Sequence, residues 1–315
     1  MKLGDAVTYE RRDNYWDKDA QLAKTITIQG MTDDNARLNA LKSGQLDISY
    51  TMVTGYDQAS RLGTGYQFVS YPVANTYSIY LNTSRPGIDN EKVRQALNFA
   101  VDREGISKSL TSGQCVPATQ LFGEGQPGHL AEPPIEYSYD PDRARQLLAE
   151  SGIGNPSFRI AVPNGLTLQE GIASAVQAQF REVGVEVEFH QGDSVASVVD
   201  YASGQYDGFI QPRVGQATPT MALARNYLNP RSFPGTPPTE FIDAVERSYD
   251  PTLSDEERAQ VVGQATSIVT ADAFDVFIYA VPGQFAATDK VIGLDTMGIS
   301  HFQSIFDVRY LGIAK

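Results

Sequence analysis

Apolar residues at Val93, Ala96, Leu97, Ala100 and Val101 recur at helical spacing while Glu91, Lys92, Arg94 and Gln95 fall on the opposite side, so the pattern predicts an amphipathic helix. Asp89 stands at the expected N-cap, with acid in the first turn facing the positive helix end. Asp102-Arg103-Glu104 opens a second short helix through Ile106 and Leu110. Upstream, Thr25-Ile26-Thr27-Ile28 reads as a strand, residues 33–42 as a helix with Leu38 and Leu41 inward, and Leu46-Asp47-Ile48 as a returning strand after Gly44. Together these predict a compact β-α-β unit.

The second half alternates more regularly. Arg159-Ile160-Ala161-Val162 reads as a strand, and Thr167 with Glu170 has capping-box spacing ahead of a stripe through Ile172, Ala175, Val176, Phe180 and Val183 that Gly184 closes. Val185, Val187 and Phe189 alternate with Glu186 and Glu188, the period of a half-buried strand. A helix over 195–202 leads into the strand candidate Tyr206-Asp207-Gly208-Phe209-Ile210. Ser254 and Glu257 mark a second capping box, before a helix with Val261, Val262, Ala265, Ile268 and Val269 inward, and Val276-Phe277-Ile278-Tyr279-Ala280-Val281 returns as a buried strand. Alternating strands and helices predict an α/β fold with a mostly parallel sheet. Gly and Pro cluster at 123–134 and 230–238, which read as loops.

At 315 residues and 41% hydrophobic composition the chain is long enough for about two domains. No apolar run reaches the roughly 18 residues of a membrane span, and Met1-Lys2-Leu3-Gly4-Asp5 lacks the apolar core of an export signal. A formal charge of −13 argues against a nucleic-acid partner, which needs a cationic face, and favours solubility. Cys115 is the only cysteine, so intrachain disulfides and Cys-rich metal sites are excluded together.

Candidate chemistry is sparse. His129, His190 and His301 stand singly, which predicts no metal site built from side chains and no cofactor. Gly123-Glu124-Gly125-Gln126-Pro127-Gly128 fits G-x-G-x-x-G by letter, but Pro133-Pro134 follow where a helix should open, so a plain turn is expected. Nucleophile-elbow, zinc-peptidase and phosphate-loop motifs do not occur. Asp200, Asp207, Asp243 and Asp272 read as caps or solvated faces rather than catalytic carboxylates.

Four stretches, taken in order, resemble the family 5 extracellular solute-binding proteins. They are Tyr9-Glu10-Arg11-Arg12-Asp13-Asn14-Tyr15-Trp16, then Leu41-Lys42-Ser43-Gly44-Gln45-Leu46-Asp47-Ile48, then Asn82-Thr83-Ser84-Arg85-Pro86 with the helix pair after it, and Tyr139-Asp140-Pro141-Asp142-Arg143-Ala144-Arg145-Gln146-Leu147-Leu148-Ala149-Glu150-Ser151-Gly152. The resemblance implies a two-lobe α/β fold of the periplasmic-binding-protein kind, type II, cluster C, in which the chain leaves lobe one, builds lobe two and returns. Crossings near 77–81 and 279–284 place lobe two at 80–281 and lobe one at 1–79 with 282–315. Family members carry a longer segment before the Tyr-Glu-Arg stretch, so lobe one is expected to be truncated and short of core and strand partners.

The resemblance further implies a cofactor-free, monomeric subunit of an ABC importer outside the cytoplasm. It would take a small solute, peptide-like or oligosaccharide-like, into a cleft between lobes and hand it unaltered to a membrane permease. A secreted hydrolase and a receptor-type sensor on the same scaffold are the alternatives. The positions expected to face ligand are Tyr77, Tyr80, Thr119, Gln120, Gln211, Arg213 and Gln216. Peptide-binding relatives often place an aromatic and an acid just after the strand matching 206–210. This chain offers Gln211-Pro212-Arg213-Val214-Gly215-Gln216, a cation without a carboxylate, which points to a carboxylate or hydroxylated solute over a free-amine peptide.

Overall fold

Six strands form a mixed sheet in the larger of two compact units, residues 74–281; residues 1–73 with 282–315 form the other. The computed structural model describes residues 6–31, 33–51, 53–71, 75–297 and 307–314. Across the larger sheet the strands run Val116–Pro117, Asp275–Ala280, Asn75–Leu81, Gly208–Val214, Ser157–Pro163 and Glu186–Gly192. The Ser157–Pro163 strand runs parallel to both of its neighbours, Glu186–Gly192 and Gly208–Val214, and the other three pairings are antiparallel. The expected mostly parallel sheet is therefore corrected to a mixed one. Helices Thr167–Glu182 and Ser194–Ala202 provide the crossovers of the parallel half, whereas Asn75–Leu81 and Asp275–Ala280 enter without such connections and pair in the opposite sense.

Helices cover both faces. Leu97 and Phe180 meet Ile79, Ile160 and Val276 on one side, while Tyr201 packs on Tyr80, Ala161 and Phe209 on the other. A further cluster joins Phe277 to Phe241, Val245, Val262 and Val269 of helices Thr239–Ser248 and Asp255–Ala271. The period-two alternation of each strand thus feeds two apolar layers, which is why the stretch from Val276 to Val281 reads as an unbroken hydrophobic run.

Caps settle the helix starts. Ser254 and Glu257 form the expected box, and Asp102 caps Arg103–Thr111 through the Gly105 N–H at 2.9 Å. Asn90, not Asp89, caps Glu91–Phe99 by accepting from the Lys92 N–H, because Asp89 is already used by the Gly87 N–H. Thr167 is the first helical residue rather than a cap, and Glu170 instead accepts from the Gly165 N–H at 2.9 Å.

In the smaller unit the expected β-α-β unit is absent. Thr25–Gln29 pairs with Ala6–Glu10, while Ile48–Thr51 joins a different sheet, with Gly283–Thr288 in the middle and Tyr66–Tyr71 beyond it. The two strands flanking helix Asp34–Lys42 find partners far away in sequence, which local patterning cannot see. The core of this unit is divided: Leu38, Leu41, Ala59 and Ala286 pack on one side, and Tyr71, Phe285, Val291, Leu294 and Leu311 on the other.

Candidate functional site

The three strands of the parallel half point their carboxyl ends to one edge, where Pro163 pairs with Gly192 and Gly208–Val214 runs on past them, the edge at which open α/β sheets hold ligands. The antiparallel neighbours bring Asn75, Thr76 and Ala280 to the same edge, since Thr76 pairs with Arg213 and Ala280 with Thr76. The strand expected over 206–210 extends to Val214, so Gln211 and Arg213 lie within the sheet rather than in a loop after it.

That shift decides the fate of Arg213. Its side chain is 0% exposed. The guanidinium donates from Nε to Asp275 Oδ1 at 2.9 Å, has Nη2 2.8 Å from the same oxygen, and donates from Nη1 to the carbonyls of Asn226 and Ser232 at 3.1 and 3.0 Å. Its central carbon lies 3.4 Å from the Tyr80 ring centroid and 4.8 Å from that of Tyr227. Asp275 also accepts from Tyr227 Oη at 2.7 Å and Ser78 Oγ at 3.2 Å. Burial opposes the arginine's charge, but the Asp275 carboxylate and the neighbouring tyrosines more than offset this and hold its pKa above the ordinary value.

Arg213 is thus corrected from a ligand-facing cation to the centre of a buried network, because its alternation parity turns it to the face carrying Asp275. Tyr80 belongs to the same network; its hydroxyl donates to the Pro212 carbonyl at 2.6 Å, and burial pushes its pKa up to about 12. Gln120 is buried with its amide closed on the Leu130 backbone, 2.9 and 3.0 Å, and Gln216 donates to the Gly215 carbonyl at 2.9 Å. These two amides also serve the chain itself. Tyr77, Thr119 and Gln211 are half-buried. Tyr77 sits 5.6 Å from the Tyr279 ring, and Gln211 projects from the face shared with Arg213. Tyr80 and Arg213 are thus brought together, whereas Tyr77 and Gln211 leave the sheet on opposite faces.

The motifs that carried the resemblance prove structural as well. Asn82 Oδ1 accepts from the Ser84 N–H and hydroxyl, its Nδ2 donates to the Tyr206 carbonyl, and Arg85 Nε pairs with Asp207 at 2.8 Å. Asp207 is 7% exposed and also accepts from the Arg159 N–H, so it is a buried anchor and not a solvated face. Arg103 donates to the carbonyls of Ala118, Phe277 and Asn98 at 2.7 to 3.0 Å, binding the helix pair to the Asp275–Ala280 strand and to the residue after Val116–Pro117; burial lowers its pKa to about 10, which leaves it protonated at neutral pH.

Among the described residues no group of three or more His, Cys, Asp or Glu could hold a metal ion; His301 lies outside them. Acids at the carboxyl edge are engaged: Asp193 caps Ser194–Ala202 by accepting from the Val195 and Ala196 N–H groups. The edge also shows apolar side chains to solvent, Val195 and Val199 at 74% and 60% exposure. The run Val195, Val198, Val199, Ala202 holds more apolar positions than one buried face needs, a signal in the sequence that the 3.6-residue period exposes once the helix register is known.

A mixed α/β unit of this topology is that of the type II periplasmic solute-binding proteins, and solved structures of such proteins superpose on the whole chain. CtaP, an ABC transporter substrate-binding protein from Listeria monocytogenes, matches 100% of this chain and 65% of its own with a TM-score of 0.85 at 20% identity. AgaA from A. tumefaciens R10, solved with agropinic acid, matches 100% of this chain and 66% of its own with a TM-score of 0.78 at 21% identity. Residues 1–234 match the bacterial extracellular solute-binding proteins, family 5 Middle, and the chain belongs to that family. Curated relatives include heme-binding protein A of Haemophilus influenzae, 25% identical over 85% of this chain and 50% of its own, and glutathione-binding protein GsiB of Salmonella typhimurium, 28% identical over 60% and 37%. The chain spans half or less of the length of these two relatives.

Proposed function

We propose that this chain captures a small solute for an ABC importer and releases it chemically unaltered to a membrane permease, acting outside the cytoplasm as family 5 proteins do. The observation that carries the reading is a set of half-buried, uncharged groups in the larger unit, Gln211 on one face of the sheet, Tyr77 on the other, and Thr119, which offer an amide, a ring face and a hydroxyl to a solute. Family membership supports it, as does the naming of its relatives as heme-binding and glutathione-binding proteins.

The segment 211–220 carries no carboxylate to receive a peptide ammonium. A charge-assisted bond of that kind is worth about 1.5–3 kcal/mol, so free-amine peptides lose about tenfold or more relative to a site that offers one, and a free amine should give no advantage over an acetylated peptide of equal length. A thermal-shift panel of free and acetylated peptides, oligosaccharides, metal chelates and opines tests this, with mass spectrometry of each hit after incubation. A product mass, or stabilisation by free-amine peptides alone, would overturn the reading.

A further inference from the structure

We infer that the groove beside helix Ser194–Ala202 is a binding site for a monocarboxylate with an aliphatic or aromatic body. It is an open groove of about 670 Å³, within the range of small-molecule sites, and lies wholly in the larger unit. Val195, Val198, Val199 and Ala202 form its apolar wall, and Gln211 and Arg231 supply its polar end. No carboxylate of the described residues lines it.

Three features fix the ligand class. The first is charge. Residues 74–281 carry 26 Asp and Glu against 14 Lys and Arg, while the rest of the chain carries 12 against 11, so the larger unit holds nearly all of the net −13. Arg231 is exposed and its guanidinium has no partner among the described residues, so an anion is its complement. The second is geometry: Gln211 stands half-buried on the sheet beneath the helix, where its amide N–H can donate to a second carboxylate oxygen while the arginine takes the first. The third is the wall, where two valines one helical turn apart are left more than half exposed, and a hydrocarbon body laid along them would remove that surface from water. Asp193, at the start of the same helix, has its carboxylate turned onto the helix N–H groups, which offsets its repulsion of an incoming anion.

This inference rests on the solute-capture reading and assigns a solute class to the Gln211 part of the site. Phenylacetate and octanoate serve as probes, titrated into the full chain while valine methyl resonances are followed by NMR, with 2-phenylethanol and phenethylamine as uncharged and cationic controls. The expected result is saturable movement of the Val195, Val198 and Val199 methyls by both acids, at least tenfold weaker binding of both controls, and at least tenfold weaker binding of the acids to Arg231→Gln and to Val199→Asp. Both substituted side chains are exposed, and an unchanged urea midpoint verifies the fold of each variant. Unmoved methyls at millimolar acid, or equal affinity in Arg231→Gln and the parent, would overturn the inference. A panel cargo that binds Arg231→Gln as well as the parent while the acids bind nowhere sinks the inference and leaves solute capture standing; acids bound as expected by a protein that chemically alters its panel hit sink solute capture alone.

Discussion

Replacing Asp275 by Ala should be the most damaging single change in the larger unit. The carboxylate and the Arg213 guanidinium are both 0% exposed, and the carboxylate gathers two contacts from the arginine at 2.8 and 2.9 Å, one from Tyr227 at 2.7 Å and one from Ser78 at 3.2 Å. Summing four charge-assisted bonds would overstate the loss, since they act as one network. The governing term is the cation left behind unpaired and fully buried, and breaking one side of such a buried pair costs about 3–5 kcal/mol. For a unit of roughly 200 residues that is a fall in Tm of about 6–20 °C.

Removing both charges tells network from bulk. Arg213→Met with Asp275→Leu leaves no stranded charge, so the double variant should be at least about 2 kcal/mol more stable than Asp275→Ala despite carrying one more substitution. Urea unfolding followed by circular dichroism, with calorimetry to separate the transitions of the two units, measures both. A cost below about 1 kcal/mol for Asp275→Ala, or a double variant less stable than the single one, would refute the assignment of Arg213 to the interior.

Three other expectations follow from the same geometry. A Cβ on Gly208 would stand 2.9 Å from the Tyr80 carbonyl oxygen across the sheet, so Gly208→Ala should cost about 1–3 kcal/mol in urea unfolding. Burial pushes the Cys115 thiol up to about 12; at pH 8 about one thiol in ten thousand is ionised, and a disulfide reagent should label it only as the protein unfolds. Burial, reinforced by Glu91, raises the Asp272 carboxyl above 3.8, so the folded chain holds that proton more tightly than the unfolded chain, and stability is lost as the pH rises through the carboxyl range. Asp272 also ends helix Asp255–Ala271, where a negative charge opposes the helix dipole, so Asp272→Asn should gain about 0.3–1 kcal/mol at pH 7 and nothing at pH 3 in urea titrations at the two pH values.

Local pattern alone determined most of the helices and strands of the larger unit, since each is long enough to show its own period and carries its cap beside it: Asp102, Asp193 and Ser254 sit next to the turns they close. It also carried the family, through short motifs such as Asn82-Thr83-Ser84-Arg85 whose bonds are made within a few residues and onto Tyr206 and Asp207. Pairing was decided only in three dimensions. Thr25–Gln29 and Ile48–Thr51 look like the two strands of one unit until Ala6–Glu10 and Gly283–Thr288 take them into separate sheets. The same holds for the site: four more residues of strand after Ile210 turned Arg213 from a loop cation into a buried partner of Asp275, 62 positions away, and left Arg231 as the exposed cation beside Gln211. Periodicity fixes what each segment can be, but which face of a side chain meets water depends on strand parity and on partners distant in the chain, and those are properties of the packed sheet.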